Sequence, residues 1–374
     1  MSPVNASFGE VTPLKNGFTR SQIAGAISPR SLNLILLPTE KCNFRCTYCY
    51  EDYILGKMSN DIQSGLMRLI DRRIAELELL TFSWFGGEPL LARDVVLRIS
   101  RYAHEICKAN GVEFRGGLTT NAYLLTEDLA RNLLECNQDF YQITLDGWGE
   151  GHDALRRYAN GRGTFDVIWK NLCELRKIRA PFEVVIRVHV RRDNFDNLKV
   201  LMRNVAQSFG ADQRFRVDFQ RLRDMGGAGG RTVETVAESE MPMLEHELRS
   251  EFYSNCDDHN GLPVRPPAPQ PNSTVAVAFP KLPKSESASS QRSNDQSAAA
   301  PYICYAAKPN SLLVRANGRI GKCTVILDDL RNDIGHLRSD GTIQIDNTKL
   351  RPWIKGLSDL EPEQLGCPAG WLNR

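Results

Sequence analysis

Short apolar, branched runs alternate with longer stretches of helical spacing from Ser31 to about residue 225. Ser31 to Pro38 (SLNLILLP), Thr81 to Phe85, Glu113 to Leu118, Phe140 to Leu145, Glu183 to Val190 and Arg214 to Phe219 have the length and composition of strands. Between them apolar residues recur at helical intervals, most clearly over Ser59 to Leu80, Thr164 to Arg179 and Asn194 to Gly210. Six such alternations predict an α/β core with a parallel, right-handed (β/α)6 sheet, a partial TIM-like barrel. Ligands and catalytic groups in these architectures collect at the carboxyl ends of the strands.

The alternation stops after the sixth strand. Gly226 to Gly230 is a Gly-rich loop, and Gly261 to Ala300 holds seven prolines and seven serines with one aromatic residue, Phe279. Such a segment cannot bury enough apolar surface to fold alone, so it reads as a linker or an inserted loop. Leu312 to Cys323 then reads as a hairpin turning at Asn317-Gly318. The predicted organisation is an N-terminal extension (1–30), a core domain (31–255), a Pro/Ser-rich linker (256–300) and a small α+β C-terminal domain (301–374).

Charge changes this picture little. Lys and Arg number 47 against 45 Asp and Glu, a net charge of +2 that argues against nucleic acid or a basic membrane-facing surface. No apolar run has the length of a membrane span. Ten cysteines without an apolar signal segment suit a reduced, cytoplasmic setting rather than a disulfide framework. Cys107, Cys136 and Cys173 fall in helical stretches and read as buried thiols.

Candidate chemistry begins at Cys42, Cys46 and Cys49, a Cys-x3-Cys-x2-Cys run on the first strand-to-helix loop. A closed structural metal site takes four protein ligands, whereas three thiolates leave one metal corner free. Half of a zinc site completed elsewhere is the plain alternative. The second strand runs into Gly86-Gly87-Glu88-Pro89, which is an ordinary turn or a place where backbone and carboxylate meet an ammonium ligand. Thr120-Asn121 and Thr144-Leu145-Asp146 stand at the ends of the third and fourth strands, as helix caps or as pocket groups. On the fifth strand, Arg187 and His189 alternate with apolar partners and so share one side, either facing inward or, as favoured here, making a surface salt bridge and a satisfied histidine. Asp218 on the sixth strand is a candidate general base.

These residues together resemble the radical S-adenosylmethionine (radical SAM) enzymes. The resemblance implies that Cys42, Cys46 and Cys49 hold three irons of a [4Fe-4S] cluster, with the fourth iron binding S-adenosylmethionine. It places Tyr48 near the adenine, Gly86, Gly87, Glu88 and Pro89 near the methionine amino group, Thr120 and Asn121 in the pocket wall, and Thr144 and Asp146 near the ribose. His152 to Arg156 and Gly161 to Phe165 are similar to a pattern of peptide-modifying members, which assigns Arg156, with Arg157 as the fallback, to the S-adenosylmethionine carboxylate.

Cys304, the hairpin and Cys323 resemble the start of a SPASM domain, a C-terminal module that holds auxiliary iron-sulfur clusters. The pattern is shortened: only Cys367 follows, with Gly370 where a further cysteine would stand. Four readings stay open. One auxiliary cluster is completed by Cys256 or a non-cysteine ligand, it keeps an open iron, the domain has lost its cluster, or the C terminus is truncated; a single auxiliary cluster at Cys304, Cys323 and Cys367 is the favoured expectation. The implied function is a peptide maturase that uses a 5'-deoxyadenosyl radical to crosslink a ribosomally made precursor peptide, with electrons from a reductase such as flavodoxin or ferredoxin. Alternatives are a sulfatase-type formylglycine maturase, a small-molecule dehydrogenase or epimerase, and a non-enzymatic electron-transfer module. About thirty residues precede the first strand, too few for a leader-binding winged-helix domain, so leader recognition is expected from those thirty residues, the barrel, the tail or another protein.

Overall fold

All six predicted strands form, with ends shifted by up to two residues. In a computed structural model, which describes residues 14–223, 225, 235–256 and 301–372, β1 (Ser31–Leu36) is followed by a short β2 (Phe44–Cys46), β3 (Leu79–Trp84), β4 (Glu113–Thr120) and β5 (Gln138–Thr144). A short β6 (Arg156–Tyr158), β7 (Glu183–Val190) and β8 (Phe215–Arg221) complete the core. Strands β1, β3, β4, β5, β7 and β8 lie in that order and pair in parallel. This is the sheet of a partial TIM-like barrel. The Gly-rich stretch 226–230 and the Pro/Ser-rich stretch 261–300 lie outside the described residues.

The helices follow from their apolar stripes. After α1 (Arg20–Ile27), α2 (Asn60–Arg73) starts at the Ser59 cap and α3 (Arg93–Asn110) buries Val95, Val96, Ile99, Ala103 and Cys107 against the sheet. Gly111, at φ +68°, ends α3 in the left-handed conformation that glycine adopts without strain. Helix α2 stops seven residues short of the predicted end at Leu80, because Leu79 and Leu80 belong to β3. The remaining connections are α4 (Glu127–Leu134), a single turn α5 (Glu150–Asp153), α6 (Phe165–Lys177) and α7 (Phe195–Phe209).

The C-terminal hairpin extends the same sheet. Strand β9 (Ser311–Val314) pairs in parallel with β1, and β10 (Arg319–Gly321), β11 (Gly335–Leu337) and β12 (Ile343–Ile345) follow antiparallel, making ten strands in all. The first described helix also meets the C-terminal region. Phe18 and Ala26 share a small second core with Ile303, Ala307 and Leu365.

One buried ion pair ties this extension to the cysteine loop. Arg315 reaches Glu40 through Nε–Oε1 at 2.7 Å and Nη2–Oε2 at 2.8 Å, both side chains being almost fully buried. The same guanidinium donates to the Leu327 carbonyl at 2.7 Å and pairs with Asp328 at 2.9 Å. Removing one partner strands the other charge in the interior. Arg315→Met is therefore expected to destabilise the fold by about 3–5 kcal/mol. Denaturant unfolding checks this, and a loss below about 1 kcal/mol, the range of exposed pairs, would contradict the role given to the pair.

Candidate active site

Backbone pairing builds the site before any side chain does. Strand β2, inside the cysteine loop, pairs antiparallel with β6 and sets Cys46 opposite Arg156. On the other flank, a Cβ on Gly86 would lie 2.4 Å from the Thr39 carbonyl, and one on Gly87 would lie 2.5 Å from that of Glu40. Only glycines let the end of β3 lie so close to the loop. The Glu88 amide then donates to the Lys41 carbonyl at 3.0 Å.

Two buried carboxylates organise what surrounds the thiols. Glu88 is fully buried and accepts from Thr120 Oγ1 (2.8 Å), Asn121 N (2.7 Å) and Leu90 N (2.9 Å). Burial pushes its pKa up to about 6 in spite of those bonds. Asn121 passes the linkage on, donating through Nδ2 to Asn43 Oδ1 at 2.8 Å. Asp146, equally buried, accepts from the Tyr48 hydroxyl, and the His189 backbone N and ring Nδ1 lie 3.2 and 3.0 Å from its Oδ1. Arg156 stands 3.9 Å away and donates through Nη1 to the Tyr48 hydroxyl at 2.7 Å. Burial works against the Asp146 charge, but His189, Arg156 and Tyr48 outweigh it and hold the carboxyl well below the usual range.

An open cavity of about 200 Å³ lies at the carboxyl ends of the parallel strands. The cysteine loop contributes Cys46, Tyr48, Cys49, Tyr50 and Glu51 to its wall. Of the other predicted groups, Gly86, Thr120, Asn121, Thr144 and Arg156 line it as well. Gly87, Glu88, Pro89 and Asp146 stand behind the wall, where Glu88 and Asp146 fix its members in place. Arg157, the next residue of β6, points to the opposite, exposed side and donates to the Ala154 carbonyl, so it does not share the place of Arg156. Asp218 is not on the wall. Its Oδ2 accepts from Arg187 Nε and Nη2 at 3.1 and 2.9 Å and its Oδ1 from Gln220 at 3.0 Å, which leaves it committed rather than poised as a base.

Several wall residues gave no motif in the sequence. Gln142, Gln220, Arg221 and Arg223 line the cavity from β5 and from the end of β8, and Arg187 and His189 line it besides making the pairs expected of them. Their signal is position alone, at the carboxyl end of a parallel strand. Glu51 follows the last loop cysteine by two residues. Burial, reinforced by Glu40, pushes it up to about 8, and its Oε2 is sealed from solvent without a hydrogen-bond partner.

The donor groups suit the cofactors the loop pattern implies. Burial raises the Cys42, Cys46 and Cys49 thiols, Cys46 to about 11 in spite of Arg156, so as free groups they hold their protons and a metal is needed to draw them into thiolates. Among the described residues no three His, Cys, Asp or Glu side chains converge tightly enough for one shared metal ion. A four-iron cluster does not require that, since each thiolate takes its own iron. Arg156 Nε and Asn43 Nδ2 are buried without partners, donors suited to a carboxylate.

A second thiol group lies in the C-terminal region. Cys304 and Cys323 are buried and Cys367 is exposed; burial raises Cys304 to about 12, with Cys323 and Cys367 adding to it. Cys256 sits elsewhere, with its sulfur against Gly210 at the end of α7. A Cβ on Gly370 would lie 3.9 Å from the Cys367 sulfur, so this is where a fourth thiol would enter and glycine does not supply one. Lys322, next to Cys323 at the end of the hairpin, is buried as well, and burial pulls it down to about 7.

Residues 36–204 match the Radical SAM superfamily. Among curated proteins the chain is 29% identical over 174 residues to the cysteine-type anaerobic sulfatase-maturating enzyme of Clostridium novyi (strain NT), covering 43% of this chain and 44% of that one. It is 28% identical over 188 residues to the serine-type enzyme of Klebsiella pneumoniae, covering 46% and 45%. The chain thus spans less than half the length of either relative. Among solved structures, native anSMEcpe with bound AdoMet and Cp18Cys peptide superposes with a TM-score of 0.56 at 17% identity, over 86% of this chain and 80% of that one. Streptococcus suis SuiB bound to S-adenosylmethionine gives 0.53 at 15% identity, over 90% and 70%. At such identities these two speak for the fold. Loop, strand-end groups and matched stretch agree: residues 36–204 are similar throughout to a radical SAM superfamily domain, the kind of domain that uses a [4Fe-4S] cluster and S-adenosylmethionine.

Proposed function

We propose that this protein is a peptide maturase that modifies, by crosslinking, a separate ribosomally made precursor. The observation that carries the reading is the shared cavity: the cysteine loop, Thr120, Asn121, Thr144 and Arg156 face one space at the carboxyl ends of the strands, with room left toward β8. A [4Fe-4S] cluster on Cys42, Cys46 and Cys49 would supply the electron that cleaves S-adenosylmethionine to methionine and the 5'-deoxyadenosyl radical, which removes a hydrogen atom from the substrate. The chain's own part is to hold and enclose. Arg156 Nε is the donor for the cofactor carboxylate, Tyr48 is kept in place by Asp146 and Arg156, and Thr144 and Asn121 fix the remaining polar groups. Arg187, Gln220, Arg221 and Arg223 face the substrate side of the cavity, where water must be kept out.

Cys304, Cys323 and Cys367 would hold one auxiliary iron-sulfur cluster, and a flavodoxin- or ferredoxin-type reductase would supply electrons. Among the described residues no helix is long and apolar enough to cross a membrane. A formylglycine-forming activity is the second reading, favoured by the match to sulfatase-maturating enzymes.

Replacing Cys42, Cys46 and Cys49 together by Ala should abolish 5'-deoxyadenosine formation in anaerobically reconstituted protein while leaving the far-ultraviolet circular dichroism unchanged; undiminished cleavage would sink the assignment. Iron analysis should give more than about four irons per chain, falling by up to about four when Cys304 and Cys323 are both replaced. Equal values near four in both proteins would remove the auxiliary cluster. Incubation with the peptide encoded beside this protein's gene, reductant and S-adenosylmethionine should cost the peptide two hydrogens per modification by mass spectrometry. An aldehyde at a Cys or Ser would favour the second reading instead, and unchanged peptide alongside turnover of a small metabolite would overturn both.

A further inference from the structure

A buried ammonium without an anion sits beside the C-terminal thiols. Lys322, next to Cys323 at the end of β10, is about 1% exposed and is among the largest fully buried side chains. Its Nζ donates to two backbone carbonyls, Lys308 O at 2.6 Å and Ser311 O at 2.5 Å. Among the described residues no carboxylate pairs with it, and the titratable group that acts on it is the Cys304 thiol. Its position is fixed from behind: Asn332 Oδ1 accepts from the backbone N of Lys322 at 2.8 Å and of Cys323 at 3.0 Å, and Asn332 Nδ2 donates to the Cys323 carbonyl at 2.8 Å.

Two carbonyls satisfy two of the three ammonium protons and none of the charge. A lone cation in the interior costs several kcal/mol, and an apolar side chain of similar length would fill the same space without that cost. The missing partner is an anion that the described residues do not contain. Three thiolates bound to iron and sulfide supply one. We propose that Lys322 is the built-in counter-charge of an anionic iron-sulfur group held at Cys304, Cys323 and Cys367, and that it makes that group easier to reduce. This rests on the auxiliary-cluster reading above. The direction follows from charge: reduction adds one electron, and a fixed cation nearby stabilises the more negative state more.

The test uses the full chain with Cys42, Cys46 and Cys49 replaced by Ala, so that the iron which remains belongs to the C-terminal group. Lys322→Met in this background should keep its iron, keep the melting temperature of the metal-free protein within a few degrees, and make reduction about tenfold less favourable in an EPR-monitored titration. Tenfold corresponds to a fall of about 59 mV for one electron. Lys308→Gln, at a half-buried lysine near Cys304, should shift the potential in the same direction by less. Iron retained with an unchanged potential in both variants overturns the counter-charge role. A metal-free Lys322→Met protein that no longer melts cooperatively shows the ammonium to be a staple for the Lys308 and Ser311 carbonyls, and overturns it as well. Absence of iron from the parent itself would instead refute the auxiliary-cluster reading, and this inference with it.

Discussion

The carboxylate of Asp146 is the group on which the site's geometry depends. It is sealed from water, and an unpaired carboxylate there would cost several kcal/mol, so its neighbours must come to it. They come from three separate stretches of chain: Tyr48 from the cysteine loop, Arg156 from β6 and His189 from β7. Satisfying one charge thereby fixes the loop against the far side of the sheet. The Tyr48 and His189 rings pack edge to face, 5.4 Å between centroids, around the same point.

Glu88 and Glu40 repeat the device on the other sides of the loop. Glu88 gathers the ends of β3 and β4, and Glu40 clamps the loop to the C-terminal hairpin through Arg315. With these acids fully engaged, the polar atoms left without partners are informative. Arg156 Nε and Glu51 Oε2 are buried, orphaned and carried by residues of the cavity wall.

The pairing of β9 with β1 joins the two thiol groups through one sheet. Residues of the hairpin start two strands from β3, whose end carries Gly86 and Gly87, and Arg315 closes the remaining gap. The C-terminal region is therefore a continuation of the core's hydrogen-bond ladder, and a change in the hairpin bears directly on the cysteine loop.

Much of this was legible in the residues alone. Apolar periodicity gave the six parallel strands within two residues, and two of the three clearest helices as closely, because strand and helix burial impose different periods on the chain; the third ran on into β3, where an apolar stretch fits both periods. The Cys42, Cys46 and Cys49 spacing and the Gly86-Gly87-Glu88-Pro89 turn identified the loop and its neighbour, since short-range geometry is written in consecutive residues. What the sequence could not assign was direction. Glu88 and Asp146, read as ligand-contacting groups, face inward and brace the wall; Asp218, read as a base, is held by Arg187 and Gln220. Gln142, Arg221, Arg223 and Glu51 reach the cavity with no motif to announce them. Nor could it tell that β9 would add to β1, or that Lys322 would be buried with no carboxylate partner among the described residues. These are contacts between residues tens to hundreds of positions apart, and only the packed chain decides which partner a buried charge will find.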